Sequence, residues 1–262
     1  MNRRHVLGAI GSVGSLGTLA YATRDPVESL EVRLWLSDGA AAYDGVAERT
    51  LEYVERLMEF EFWTLEVSFG GVVPVSTEDG ARVTSAGEWP LALASGTVGS
   101  SDVEPADDVN LLVTDGQMKR APTGYGLPHI ASVGGARHIA DLEPFEEFVE
   151  SGPEGDVERR IVPLQTPTRT IQILLHEVGH ALGLHHEHGV AFRYGDAVVA
   201  TPMLSTYAFS SNSPYDHSRC GTSYPDPSGL KWRLSLAFST CARRELASYS
   251  GGVRPRTPRE GE

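Results

Sequence analysis

The sequence predicts an α+β or α/β fold, a sheet covered on one side by two long helices and followed by a mostly irregular C-terminal third. Three observations carry this expectation. Residues 30–36 and 62–69 alternate apolar and polar side chains, as half-buried strands do. Between them, Tyr43, Val46, Ala47, Leu51, Val54, Leu57 and Met58 fall at helical spacing within residues 41–60. Ile171, Leu174, Leu175, Val178, Ala181 and Leu182 repeat that spacing further on.

In chain order, Ser37, Asp38 and Gly39 form the turn into the first helix, and Gly70, Gly71 and Pro74 end the second strand. Residues 76–107 are rich in Gly, Ser and acids and read as loops around a weak strand at 91–94. The apolar runs 109–114 and 130–136 are buried strands, 145–150 is a short helical stretch and 151–156 a loop. Thr168 or Thr170 caps the second long helix, which Gly183 ends. A final helix is expected at 234–248, and the tail 251–262, made of Gly, Pro and charge, is expected to be disordered. The two helices should cover one face of the sheet.

The chain has 262 residues, 40% of them hydrophobic, enough for one sizeable core and one principal domain over residues 30–245. Its formal net charge of −13 argues against a nucleic-acid partner, whose phosphate backbone wants a basic stripe that the sequence does not show. Lys119 and Lys231 are the only lysines. Such an acidic, lysine-poor composition resembles the proteins of halophilic archaea, since molar salt cuts the Debye length to roughly 3 Å and lets carboxylates crowd a surface. Asp102, Asp107, Asp108 and Asp115 are read as solvated acids of that surface rather than a calcium site.

At the N-terminus, Arg3 and Arg4 precede a weakly hydrophobic stretch containing Gly8, Gly11, Gly14 and Gly17. Residues 1–22 therefore look like a twin-arginine export signal, with Ala20, Tyr21 and Ala22 offering a cleavage site. Retention as an anchor stays open, and no later segment could cross a bilayer. In an exported protein Cys220 and Cys241 would form a disulfide; two buried thiols are the alternative.

The chemistry concentrates in one stretch, His176-Glu177-Val178-Gly179-His180-Ala181-Leu182-Gly183-Leu184-His185-His186. On a helix His176 and His180 share a face and can offer two imidazole nitrogens to one ion. Gly183 permits the positive φ that turns the chain back and lets His186 supply a third. Three protein ligands leave a fourth position for water, the catalytic rather than the closed arrangement of zinc. Glu177, beside the first ligand, can take a proton from that water. Chance would give the full pattern in roughly one chain in ten thousand of this composition, so it is specific. His185 and His188 lie off the ligand spacing and are read as surface or supporting residues.

Matched at 176, 177, 180, 183 and 186, the sequence resembles the metzincin clan of zinc peptidases. The resemblance implies an α+β, metzincin-like catalytic domain, with a twisted mixed sheet and two long helices in an N-terminal lobe and a mostly irregular C-terminal lobe. It implies cleavage of internal peptide bonds in a peptide or protein substrate, zinc as cofactor and Glu177 as general base. It also implies a methionine turn beneath the metal, for which Thr201-Pro202-Met203-Leu204-Ser205 supplies Met203. The subfamily stays open. Gly183-Leu184 looks like matrixins, and Glu187 after His186 looks like astacins. The astacin tyrosine two residues past the methionine is Ser205 here, and Tyr207 is the tyrosine that could stabilise the oxyanion instead. The cysteines that follow the third histidine in archaemetzincins are absent. No cysteine precedes the motif as a matrixin-type latency switch, and Arg219-Cys220-Gly221 lies downstream of it. A zinc-holding surface or adhesion protein with little turnover is the alternative, against which the base Glu177 speaks.

Overall fold

A computed structural model describes residues 25–118, 123–150, 160–209 and 215–251. The expected export signal (1–22), the loop 151–156 and the tail beyond Gly251 lie outside the described residues.

Five strands form the first sheet: β1 (Ser29–Ser37), β2 (Thr64–Val73), β3 (Val109–Val113), β4 (Gly124–Leu127) and β5 (Ile130–Val133), in the order β2-β1-β3-β5-β4. All neighbours are parallel except the edge strand β4, which runs antiparallel to β5 and pairs Gly124 with Val133 and Leu127 with Ile130. The alternation in β1 puts Leu30, Val32, Leu34 and Leu36 on one face. Against this face pack the two long helices, α1 (Val46–Met58) and a later one, Thr166–Ala181, through residues such as Val54, Leu57, Leu174 and Val178. The first begins later than its apolar spacing suggests, because Gly45 sits at φ 77° and separates it from a single 3-10 turn at Ala40–Ala42.

The opposite face is not bare. Residues 76–107, expected as loops around a strand at 91–94, contain α2 (Gly80–Ser85) and α3 (Glu88–Thr97). Asp79 caps α2 by accepting from the Arg82 amide. Pro90 fits the first turn of α3, where no amide donor is needed. Trp89 and Leu93, one turn apart, are buried with Trp35, Val83 and Leu112 in a second core. A run as short as Leu-Ala-Leu-Ala carries no period that separates strand from helix.

Two short helices follow, α4 (Ala136–Ala140) and α5 (Phe145–Glu150). The helix Thr166–Ala181 is α6. Its N-cap is Gln165 rather than either threonine, and the Thr168 hydroxyl accepts from the Gln165 amide in a capping box, with Pro167 in the first turn. The sequence did not reveal a second sheet of four short strands, one just before α6 and three beyond Gly183. These are β6 (Ile161–Pro163), β7 (Ala191–Tyr194), β8 (Ala197–Ala200) and β9 (Lys231–Ser235), in the order β6-β9-β8-β7. The final helix α7 is confined to Thr240–Leu246, because residues 231–235 pair as β9 and Ser239 caps at the Ala242 amide. Buried Gln172 on α6 donates to the carbonyls of Ala200 and Ser235 and so ties this sheet to the helix.

Of the acids read as solvated, Asp108 is buried and accepts from the Glu31 amide and the Tyr249 hydroxyl, and Asp115 pairs with Arg137. Among the described residues no helix is long and apolar enough to cross a membrane.

Candidate metal centre

Helix α6 presents His176 and His180 one turn apart, and a tight reversal brings in His186. After the helix ends, Gly183 at φ 86° turns the chain, and the Leu184 amide returns to the Gly179 carbonyl. His186 then opens a single 3-10 turn, His186–His188. The three Nε2 atoms form a near-equilateral triangle, 3.1 Å from His180 to each partner and 3.2 Å between His176 and His186.

The outer nitrogens decide what occupies the inner ones. His176 Nδ1 donates to the Pro202 carbonyl and His180 Nδ1 to the Leu184 carbonyl, each at 2.8 Å. A carbonyl only accepts, so both rings carry their hydrogen on Nδ1 and turn a bare Nε2 lone pair inward. His186 Nδ1 lies 2.6 Å from the Tyr215 hydroxyl. Lone pairs converging at this distance repel one another unless a cation lies among them. Tetrahedral zinc with arms of about 2.0–2.1 Å sets its ligand atoms about 3.3 Å apart, which the triangle nearly matches. Among the described residues these three are the only cluster of histidine, cysteine and carboxylate groups that could hold a metal ion.

Electrostatics keep the lone pairs available. Burial holds His176 down to about 3 and His186 to about 4, each helped by the neighbouring imidazoles, and burial also lowers His180. Protons therefore do not compete for these nitrogens at neutral pH. Glu177 is 6% exposed, and burial raises its carboxyl to about 8. A cation beside it would act in the opposite direction.

Met203 lies in the turn after β8 and is fully buried, with its sulfur beneath Gly179. The residue before it supplies the carbonyl that orients His176. Tyr207 is half-exposed, its ring centroid 4.9 Å from that of His186. His185 remains outside the triangle, and His188 is buried, with Nδ1 accepting from the His185 amide. Cys220 and Cys241 form a disulfide.

Two features escaped sequence reasoning. One is Tyr215. The other is β4, which crosses α6 so closely that its glycines have no room for side chains. A Cβ at Gly124 would lie 2.7 Å from Glu177 Cγ, and one at Gly126 2.5 Å from His180 Cβ and 2.7 Å from the Glu177 carbonyl oxygen. Gly126→Ala is therefore expected to destabilise the fold by about 1–3 kcal/mol, because backbone as well as side chain must give way. Urea unfolding measures it, and an unchanged midpoint would show that β4 is not pressed on the helix. The signal in the sequence was the Gly-Tyr-Gly pattern, which has one glycine on each helix-facing position.

No family model matches the chain, and no curated protein matches it. Among solved structures it is similar to archaemetzincin from Methanopyrus kandleri, at 16% identity and a TM-score of 0.41, over 84% of this chain and 96% of that one. It is also similar to a chain of a chaperone-substrate complex, at 9% identity and a TM-score of 0.35, over 86% of this chain and 35% of that one. At these scores neither likeness bears on fold or activity.

Proposed function

We propose that the chain is an exported zinc-dependent endopeptidase of metzincin type, its domain spanning residues 30–245, with His176, His180 and His186 as metal ligands and Glu177 as general base. The observation that carries this reading is the triangle of inward Nε2 lone pairs with a carboxylate on the adjacent residue. Bound zinc would supply Lewis acidity and a water acidic enough to lose a proton near neutral pH. The chain's own groups would do the rest. Pro202 and Leu184 hold the first two imidazoles in the ligand tautomer. Glu177 takes a proton from the attacking water and returns it to the leaving amine. The outer edge of β4, which among the described residues pairs with β5 on one side only, would bind an extended peptide as an added strand. Met203 would form the apolar floor under the ligands. The Cys220–Cys241 disulfide fits export from the cytoplasm, and the acidic composition fits work in molar salt.

The test is cleavage of unfolded casein by the purified chain in molar salt, with zinc content measured alongside. The expected result is one zinc per chain and cleavage that a chelator abolishes and added zinc restores. One bound zinc with no cleavage of any peptide offered would favour the surface-protein alternative. No bound zinc would end the metal reading.

A further inference from the structure

A segment far from the motif in sequence grips the third histidine from behind. Residues 216–224 fold on themselves: the Tyr224 amide donates to the Asp216 carbonyl, the Ser218 amide to the Thr222 carbonyl, and His217 bridges Ser223. This hairpin-like loop lies along residues 186–189 and bonds to nearly every one of them. The Tyr215 hydroxyl meets His186 Nδ1 at 2.6 Å, and the Arg219 amide donates to the Glu187 carbonyl at 2.7 Å. Arg219 Nη1 lies 3.2 Å from His188 Nε2, and the Tyr224 hydroxyl donates to the Gly189 carbonyl at 2.9 Å. Ser239, the cap of α7, donates to the His188 carbonyl at 2.6 Å from the other side.

The same loop is fastened covalently. Cys220 sits at its exposed tip and Cys241 is buried in the first turn of α7, so the disulfide joins the loop to the helix whose cap also holds residue 188. The three ligands are thus supported unequally. His176 and His180 sit on a sixteen-residue helix with their outer nitrogens on backbone carbonyls. His186 stands on one 3-10 turn, and its outer nitrogen meets a side chain borne by another segment.

Resting on the reading of His186 as a metal ligand, we infer that Tyr215 is a positioning residue for that ligand and that the Cys220–Cys241 disulfide clasps its loop in place. For Nε2 to face the metal, the His186 hydrogen must sit on Nδ1 and be donated to the Tyr215 oxygen. That bond fixes ring orientation and raises the basicity of the ligand nitrogen. The disulfide limits how far the loop, and the hydroxyl with it, can withdraw.

Zinc affinity, measured by competition with a chromophoric chelator, tests both parts in wild type, Tyr215→Phe, Cys220→Ser/Cys241→Ser and the triple variant. Tyr215→Phe should hold zinc roughly 10–100-fold more weakly, the usual consequence of losing an outer partner of a ligand. With cobalt in place of zinc, its visible absorption bands should shift as the third ligand loosens. The cysteine substitutions should weaken zinc binding in the Tyr215 background and far less once Tyr215→Phe is present, because the same link has already been cut. A clasp acting only through general stability would weaken both backgrounds equally, and that outcome overturns its assigned role. An unchanged affinity in Tyr215→Phe overturns the inference outright. Should the cysteine variant fail to fold, Tyr215→Phe decides alone, since it keeps the disulfide. Wild type that binds no zinc defeats the metal reading itself, a failure distinct from tight binding by both wild type and Tyr215→Phe.

Discussion

Glu177→Gln is expected to lower casein hydrolysis by roughly 10²–10⁴-fold, the usual worth of a positioned general base, while the chain still binds one zinc. The amide fills the same space against Gly124 and Gly126 but cannot accept and return a proton. Alanine would instead open a gap under β4, so glutamine separates chemistry from packing. A variant that cuts casein at the wild-type rate would remove Glu177 from the mechanism. The same substitution has a signature in stability. Burial raises the Glu177 carboxyl from its ordinary 4.5 to about 8. Between those values the folded chain keeps a proton that the unfolded chain releases, so this group's contribution is full below pH 4.5 and lost as pH rises through 8. In urea unfolding with chelator present, Glu177→Gln should therefore gain on wild type as pH increases from 5 to 8. A stability difference, variant minus wild type, that stays constant or falls over this range would contradict the burial described for this carboxyl.

His176→Ala carries the other large effect. Zinc that binds only the folded chain should stabilise wild type by about 2.7 kcal/mol at a hundred times its Kd, and the variant by nearly nothing. Thermal unfolding with and without zinc measures the difference, and an equal rise in Tm for both chains would mean that zinc binds elsewhere. The pH dependence here has the opposite sign to that of Glu177. Burial lowers His176 from 6.5 to about 3, so its contribution is present above pH 6.5 and is lost as pH falls through 3. Without zinc, substituting alanine also removes one of three mutually repelling lone pairs. Part of the cost of the emptied side-chain volume and the lost bond to Pro202 should thereby be offset.

What was legible in the sequence was whatever is encoded locally and with a period. The strand β1, the helices α1 and α6 and the three-histidine motif all depend on spacing within a few turns, and the reversal at Gly183 depends on one residue's freedom at positive φ. The strands of the second sheet are only three to five residues long, too short for alternation to register. Strand β4 has no apolar pattern because the helix beneath leaves no space for side chains at two of its positions. Tyr215 reaches His186 from 29 residues away through a loop whose course depends on a disulfide and on hydrogen bonds to residues 187–189. No motif read along the chain contains that information.

The letters between the three histidines are less free than the spacing suggests. A Cβ at Gly179 would lie 2.3 Å from the Met203 sulfur, which is itself fully enclosed. Helix and turn thus share one fixed allotment of volume, almost all of it taken by the methionine. Any side chain gained at 179 must displace matter at 203, so a substitution at 179 calls for a compensating smaller residue at 203.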